Sequence, residues 1–325
     1  MNKLTLFSTI NNLTAIGLFT NLPGKDSVLP LSEEPLPRGW HNDIRDVVPS
    51  NPFDIDEGLI AVIFALVTEA KKSWNAVEAR VEFQSVESEP PITIYFAGST
   101  RQGQPTYQVK SVMWTLADIF FYSVGKAYYH PLSWRTRTGT SVLGLGNMYQ
   151  GTFPHGLSCG LTGSSKNTEE TLNVTDTQSK NVSGATPQND LGSVYLDWRG
   201  DGEKYLKVSD VLTTLVKPLI IVGEFESDDY FPAESFSNYN PAESFTWGIT
   251  SRAPPFSHLP TPENRSLRNN VIIDVIGALA GYAYENPREI STGIGAIIQD
   301  GTIVGSIVLI KGRMPPTAND FAVSV

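Results

Sequence analysis

The sequence predicts an α/β or α+β protein made of two similar halves, each with helices packed on β-sheet. Three observations predict this class. The composition is that of a folded protein, with 40% apolar and 18% charged residues in a chain of 325. Segments with apolar residues three and four positions apart, which is typical of helices, alternate with short β-like runs. The order of these segments also repeats along the chain, which indicates an internal duplication.

The first half contains two predicted helices and three predicted strands. Asp54 and Glu57 form a capping-box pattern, in which the Asp54 oxygen accepts backbone N–H groups and Glu57 reaches back toward the cap. The apolar run at 59–67 then continues this first helix. A second helix is predicted over 109–120 from apolar residues at helical spacing. Strands are predicted at 79–83, 92–96 and 138–145.

The second half follows the same plan. Ser209 or Asp210 caps a helix, and Pro218 is expected to kink or shorten it, because proline lacks the N–H donor and its ring clashes with the preceding turn. A second helix is predicted over 271–282. Asp300-Gly301 is typical of a two-residue hairpin turn. Strands are predicted at 194–198, 245–249, 290–298 and 302–311.

An offset of 156 residues relates the two halves. It places residues 118–131 on 274–287 with five identities in fourteen positions, among them Asp118 on Asp274. The same offset places Asp54 on Asp210. We interpret this pattern as a tandem duplication. The alternative is coincidence between amphipathic helices, because a shared hydrophobic period makes unrelated helices look alike.

The domain boundaries follow from composition. Residues 1–20 combine a basic start with an apolar stretch, which predicts a signal segment and a secreted protein. The alternative is an intracellular protein whose first strand occupies that stretch. The halves span 35–151 and 191–325, and the linker at 152–190 is rich in Ser, Thr, Asn and Gly. Glycosylation is predicted at three Asn-X-Ser/Thr sites, Asn173, Asn181 and Asn264.

Charge and cysteine content exclude several classes of function. The chain has 24 Lys and Arg against 34 Asp and Glu, a net charge of -10, so nucleic acid is not an expected partner. Cys159 is the only cysteine, which excludes an intrachain disulfide and a cysteine zinc site. The apolar run at 59–67 is too short to span a membrane. No motif indicates a metal or a cofactor. The expected partner is an extracellular protein or polysaccharide.

One candidate catalytic residue is a serine. Residues 156–160 read Gly-Leu-Ser-Cys-Gly, which matches the G-x-S-x-G nucleophile elbow. His155, His130 and His258 are available as bases for Ser158, and no spacing selects one of them. The elbow needs a strand before the serine and a helix after it. A loop-like sequence follows Ser158 here, so a glycine-rich loop is the favoured interpretation.

The second catalytic hypothesis uses Asp118 and Asp274. At the 156-residue offset they occupy matching places, and enzymes with two lobes can bring one carboxylate from each lobe to a shared site. The Asp-Thr-Gly or Asp-Ser-Gly turns of aspartic proteases are absent from the sequence. A solvated helix face is therefore the favoured interpretation of these two residues.

Residues 267–313 carry a resemblance. A helix rich in Leu and Tyr, the step Asn-Pro-Arg-Glu-Ile at 286–290, and the hairpin at 297–312 with the glycine-spaced run Val-Gly-Ser-Ile-Val resemble a family of uncharacterised secreted proteins from filamentous fungi. The resemblance implies a compartment and an architecture but no activity. The function that we predict is surface binding by a secreted fungal protein, and the alternative is an enzyme with its site between the halves.

Overall fold

The computed structural model places nine elements in the described residues of the first half of the chain. It describes residues 38–47, 52–85, 88–98, 100–101, 104–105, 107–124, 126, 128–151, 194–231, 235–240, 245–251, 267–288 and 290–311. The elements, with a two-strand ribbon β4–β5 inserted, are β1 (Trp40–Asp46), α1 (Ile55–Ala70), β2 (Arg80–Gln84), β3 (Ile92–Gly98), β4 (Thr100–Arg101), β5 (Gln104–Pro105), α2 (Val109–Ser123), β6 (Leu132–Thr138) and β7 (Ser141–Gln150). Their first sheet has the order β1-β6-β7-β3-β2, and every pair is antiparallel.

The second half has the same order of elements. They are β8 (Val194–Tyr205), α3 (Val208–Gly223), β9 (Ser235–Asn240), β10 (Phe245–Thr250), α4 (Asn269–Glu285), β11 (Ser291–Gln299) and β12 (Thr302–Lys311). Their second sheet has the order β8-β11-β12-β10-β9, again antiparallel throughout. Four helices with two antiparallel sheets make the protein α+β, which confirms the predicted class and decides between the two versions of it.

Equivalent backbone contacts fix the register between the halves. Glu78 N–H donates to the Tyr107 carbonyl at 2.7 Å, and Phe231 N–H donates to the Leu267 carbonyl at 2.8 Å. Glu78 and Phe231 lie 153 residues apart, whereas Tyr107 and Leu267 lie 160 apart. Neither offset equals the predicted 156, so the predicted register is wrong for both pairs of helices. The predicted offset differs from the true values by three and four residues, about one helical turn, so the apolar patterns still coincide.

Two local predictions need correction. Residues 138–145 were predicted as one strand, but β6 ends at Thr138 and β7 begins at Ser141. Gly139 makes the turn between them with φ +58°, a conformation that favours glycine. Pro218 does not shorten its helix, since α3 runs the full 16 residues from Val208 to Gly223 with Pro218 buried inside it.

Two of the three predicted signals at helix and hairpin ends are confirmed. The predicted cap of α3 by Ser209 or Asp210 is wrong, because the N-cap is Lys207, which makes no side-chain cap hydrogen bond, and both predicted residues lie inside the helix. Asp54 Oδ1 accepts the backbone N–H of Asp56 at 2.8 Å and that of Glu57 at 3.2 Å, which is the predicted cap of α1. Glu57 does not close the box, because its Oε2 accepts Gln150 Nε2 at 3.1 Å instead. Asp300 and Gly301 form the predicted hairpin turn with φ +51° and +74°.

The chain forms two compact units. Among the described residues, the first unit takes those within 36–61 and 77–185, and the second takes those within 62–76 and 186–325. Helix α1 therefore contributes its first turns to the first unit and the rest to the second. In the second unit this part of α1 packs against α4, where Val67 and Phe64 face Gly277 and Gly281. No helix in the described parts of the chain is long and apolar enough to cross a membrane.

Candidate functional site

Asp118 lies on an exposed position of α2 and is held by one strand residue. Its Oδ2 accepts a hydrogen bond from Asn42 Nδ2 at 2.6 Å, and Asn42 lies on β1. The two residues are 76 positions apart in the chain. Packing of α2 on the first sheet therefore creates this contact, and no local sequence pattern contains it.

A cluster of three buried hydroxyl groups fixes the orientation of Asn42. The hydroxyl cluster consists of Tyr107, Thr115 and Thr136. Thr136 Oγ1 donates to Asn42 Oδ1 at 2.6 Å, and Thr115 Oγ1 approaches the same oxygen at 3.4 Å. Since Asn42 Oδ1 accepts from these hydroxyls, its Nδ2 must face the Asp118 carboxylate.

The hydroxyl cluster is internally satisfied. Thr115 Oγ1 donates to the Ser111 carbonyl at 2.8 Å, while Thr136 uses its proton on Asn42. The Tyr107 hydroxyl lies 2.9 Å from Thr115 Oγ1 and 3.1 Å from Thr136 Oγ1, so it can donate to either threonine. Each hydroxyl proton thus has an acceptor, and a buried network of this kind is rigid because breaking any member leaves a polar group unpaired.

Burial raises the pKa of the Asp118 carboxyl above its ordinary value of 3.8. The hydrogen bond from Asn42 and the neighbouring Trp40 indole N–H oppose this rise, since both favour the ionised form. Trp40 is itself fixed by an edge contact with Trp114 of α2, with ring centroids 5.2 Å apart. Asp118 is thus an oriented carboxyl group able to exchange a proton.

Asp274 has a different environment. It lies on α4 and forms an ion pair with Lys71, and the two side chains are 20% and 17% exposed. This pair connects α4 to the residues that follow α1 within the second unit. The pairing of Asp274 with Asp118 is wrong in register, because Asp118 lies ten residues beyond its N-cap Gln108 and Asp274 only six beyond Arg268. The prediction that the two aspartates share a catalytic site rested on their matching positions, so it loses its support.

The other predicted sites cannot be placed. Ser158 and His155, and the glycosylation sites Asn173, Asn181 and Asn264, lie outside the described residues. Within the described residues, no group of three or more His, Cys, Asp or Glu side chains is arranged to hold a metal ion.

The outer surface of the first sheet carries a group of arginines that the sequence analysis missed. Arg135 and Arg137 lie on β6, and Arg45 lies beside them on β1. The alternation of a strand turns these side chains away from the core, because Trp134 and Thr136 between them are buried. We call this surface, defined by Arg45, Arg135 and Arg137, the arginine face.

The arginines of the arginine face lie close enough to affect one another. Asp43 stands opposite Arg135 in the sheet, and its Oδ2 lies 3.0 Å from Arg137 Nε. Burial lowers the pKa of Arg135, and the nearby guanidinium groups of Arg137 and Arg45 lower it further, while Asp43 acts in the opposite direction. The three guanidinium groups therefore repel one another, and a bound anion would relieve this repulsion.

Two tyrosines lie on the same outer surface, on the central strand β7 and on its neighbour β3. Tyr95 of β3 and Tyr149 of β7 are half-buried and define the tyrosine end. The Arg80 guanidinium lies 5.0 Å from the Tyr95 ring centroid. Burial raises the pKa of Tyr149, and Tyr95 and Glu82 contribute to that rise, which places both groups close to its hydroxyl.

Small polar residues connect the arginine face to the tyrosine end. The cross-strand register runs from Arg45 to Ser133, from Ser133 to Asn147, and from Asn147 to Tyr95. These three steps between neighbouring strands correspond to about 14 Å. Asn147 is buried and Ser133 is half-buried, so their short side chains form the floor between the two ends.

Sequence reasoning missed this surface for two reasons. The net charge of -10 directs attention away from basic sites, and neither β1 nor β6 was predicted. The alternation Trp-Arg-Thr-Arg-Thr at 134–138 is the signal that could have identified an arginine-bearing strand with one buried face.

Comparison with known proteins adds no relative. No protein family, no curated protein and no solved structure matches this chain. The resemblance to secreted fungal proteins therefore stays a prediction, and the function must be argued from the site alone.

Proposed function

We propose that the protein is a secreted binding protein that recognises an anionic ligand through its arginine face. The observation that supports this proposal is the group of three neighbouring arginines on the outer surface of the first sheet. Secretion and glycosylation belong to the same proposal, and they rest on the N-terminal segment and the Asn-X-Ser/Thr sites in the sequence.

Guanidinium groups suit this task. Each presents a planar fork of N–H donors that matches the two oxygens of a carboxylate or sulfate, and such charge-assisted hydrogen bonds are about twice as strong as neutral ones. Arg135 and Arg137 are half-buried, which strengthens their field relative to fully solvated side chains. Arg45 is exposed beside them and can follow the ligand.

The acidic net charge does not prevent local recognition of an anion. At physiological ionic strength the Debye length is about 8 Å, so distant surface carboxylates are largely screened from a ligand at the arginine face. The same net charge of -10 opposes nonspecific binding of polyanions to the rest of the surface. Binding should therefore depend mainly on these three arginines, and overall charge should contribute a smaller, salt-dependent term.

The test is a binding measurement with charge-matched variants. We expect the wild-type protein to bind immobilised carboxylated or sulfated polymers, and Arg45→Gln, Arg135→Gln and Arg137→Gln each to weaken binding by about tenfold, since one charged hydrogen bond contributes about 1.5 kcal/mol or more. Arg199→Gln is the control, because Arg199 lies on β8, the counterpart of β1, beside Asp197. Equal loss in all four variants would contradict the proposal.

The secretion part is tested separately. We expect intact mass and N-terminal sequencing of protein from the culture medium of a filamentous host to show removal of the first 20 or so residues, with sugar at Asn173 or Asn181. Protein that remains in the cell with its original N-terminus and no glycan would contradict secretion without affecting the binding result.

One observation favours a second candidate function. Asp118 is a proton-exchanging carboxyl group whose orientation is fixed by Asn42, as a general acid in a hydrolase requires. The test is hydrolysis of a panel of glycosides and esters by wild type and Asp118→Asn. A reaction that the variant loses while it keeps its stability would support an enzyme.

A further inference from the structure

A histidine on β1 extends the arginine face by one cross-strand pair. His41 stands opposite Arg137 in the register of β1 and β6, and it is exposed on the outer surface. We propose that His41, in its protonated form, is the fourth cation of the anion-binding site, so that the site binds its ligand more tightly at pH 5.5 than at pH 7.5. This inference rests on the proposed function and adds the regulation of that site by pH.

The alternation of β1 places His41 on the same side as the arginines. Its two neighbours in the chain face the core side of the sheet, where the Trp40 ring contacts Trp114 of α2 and Asn42 accepts from the buried Thr136. His41 therefore points the opposite way, as Arg45 does four residues later on the same strand.

The His41 and Arg137 side chains can hold one anionic group between them. The Cβ atoms of directly opposite residues in an antiparallel pair lie about 4.5 to 5.5 Å apart. Asp43 Oδ2 lies 3.0 Å from Nε of Arg137, and the same guanidinium has further N–H donors on its two η nitrogens. An anion at this pair would receive hydrogen bonds from β1 and β6 together.

The backbone determines which imidazole nitrogen takes up a proton. His41 Nδ1 lies 3.0 Å from the Gly39 carbonyl oxygen. A carbonyl only accepts, so Nδ1 carries the proton of the neutral ring, and Nε2 then has a lone pair that repels an anion. Protonation converts Nε2 into a positively charged N–H donor. The anion and the proton therefore act at the same atom.

The Gly39 carbonyl is itself held in place. It also accepts the backbone N–H of Gly139 at 2.9 Å, in the turn between β6 and β7. Gly39 has φ +80°, and a Cβ atom there would lie 2.9 Å from the Gly139 nitrogen, so the close approach requires glycine. The orientation of the imidazole thus depends on a backbone contact and not on a flexible side chain.

The charges around His41 couple anion binding to protonation. Arg137 repels a protonated imidazole, and Asp43 attracts it. An anion bound between His41 and Arg137 offsets the repulsion, so the proton and the anion should each strengthen binding of the other. Among the described residues, the charged groups on the surrounding elements are Arg38 in the preceding turn, Asp43 and Arg45 of β1, Arg135 and Arg137 of β6 and, on the inner side of the sheet, Asp118 of α2.

The test measures binding of an oligosaccharide of dextran sulfate by calorimetry at pH 7.5 and pH 5.5, at constant ionic strength. Sulfate esters stay ionised at both pH values, so only the protein changes its charge. We expect wild type to bind about tenfold more tightly at pH 5.5, because one charged hydrogen bond changes affinity by about that factor. His41→Gln should bind within about twofold of wild type at pH 7.5 and about tenfold more weakly than wild type at pH 5.5.

Two further variants separate the local contact from net charge. His41→Arg keeps a cation at both pH values and should bind at pH 7.5 about as tightly as wild type does at pH 5.5. His130→Gln is the matched control, because it also removes one histidine but lies beyond the far end of β6, seven residues before Arg137. It should keep the pH dependence of wild type.

Nitrogen NMR of the imidazole gives a readout that does not depend on affinity. In the free protein we expect the neutral His41 ring to carry its proton on Nδ1. Addition of the dextran sulfate oligosaccharide should move the titration of His41 to higher pH, since coupling between two ligands is reciprocal. A neutral ring with its proton on Nε2 would overturn the inference.

The binding outcomes separate the two proposals. If His41→Gln keeps the pH dependence of wild type, or His130→Gln loses as much of it, the role of His41 is wrong and the anion-binding function stands. If Arg45→Gln, Arg135→Gln and Arg137→Gln bind as wild type does at both pH values, the anion-binding function fails and the role of His41 fails with it.

Discussion

The Asp118 carboxyl is a group whose charge the fold affects. Its pKa is raised by burial, so the folded protein still holds the proton at a pH where the unfolded chain has released it. Ionisation of Asp118 therefore costs stability as the pH rises from the ordinary value of 3.8 through the folded-state pKa. Below that window the cost disappears.

We expect Asp118→Asn to be more stable than wild type at pH 7, by up to about 0.5 kcal/mol for a partly exposed position. The advantage should vanish well below pH 3.8, where the wild-type carboxyl is protonated in both states. Urea denaturation at the two pH values measures it. Asp197→Asn, an exposed strand residue, serves as the control for the change in net charge. A variant that is less stable at pH 7 would contradict the assigned cause.

Asn42 is the residue that connects the hydroxyl cluster to Asp118. Asn42→Ala removes the acceptor of Thr136 and the donor of Asp118 together, so we expect a loss of about 1 to 3 kcal/mol in the free energy of unfolding. Asn42→Asp keeps the acceptor but places a second carboxylate against Asp118. Its stability should recover toward wild type as the pH falls, and chemical denaturation at pH 4 and 7 checks both variants.

At the scale of helices, one substitution should have opposite effects in α1 and α4. A methyl group at Gly58 of α1 would overlap the ring of Tyr129, which is buried and stacked on Phe53 at 5.3 Å. A methyl group at Gly281 of α4 would lie 3.7 Å from Phe64 Cζ, an ordinary contact. The close approach at Gly58 requires glycine, whereas the approach at Gly281 does not.

We expect Gly58→Ala to destabilise the protein by about 1 to 3 kcal/mol through overpacking. Gly281→Ala should stabilise it by about 0.5 to 1 kcal/mol, because alanine has the higher helix propensity. Thermal and urea unfolding compare the two variants. Ala278→Gly in the same helix α4 is the reverse control and should lower stability. Gly281→Ala at or below wild-type stability would show that α1 and α4 pack more closely than described.

At the scale of the whole molecule, net charge should modulate binding at the arginine face. The chain carries -10 at pH 7 and has a sequence pI of about 4.9, so acidification removes the charge that opposes an anionic ligand. Asp56, Glu57 and Asp118 have raised pKa values and protonate earlier than ordinary carboxyl groups. Ligand carboxylates with ordinary pKa values near 4 stay ionised over most of this range.

Affinity for a carboxylated polymer should therefore increase from pH 7.5 to pH 5.5, and it should decrease with added salt at either pH. Calorimetry at constant ionic strength measures this dependence. Arg199→Gln lies outside the arginine face and should show the same dependence of affinity on pH and salt as wild type. An affinity that falls on acidification would contradict this role of net charge, because protonation of carboxylates can only make the protein more positive.

The sequence by itself determined the features whose causes are local. The cap at Asp54, the hairpin turn at Asp300-Gly301 and the apolar stripe of α4 each depend on residues within a few positions of one another. Such neighbours interact in any conformation that forms the element, so their pattern is visible before folding. The order of these elements predicts an α/β or α+β class, and the antiparallel strand pairing in the structure decides for α+β.

Only the tertiary structure decided the register between the halves and the positions of the functional surfaces. A shift by one helical turn leaves the apolar stripe almost unchanged, so periodicity cannot distinguish offsets of 153, 156 and 160. Asp43 and Arg135, or Asn42 and Asp118, meet only because distant strands and helices pack together. The register of the antiparallel strands places these residues beside each other. That register is stabilised by packing of the whole core, so no short segment of sequence predicts it.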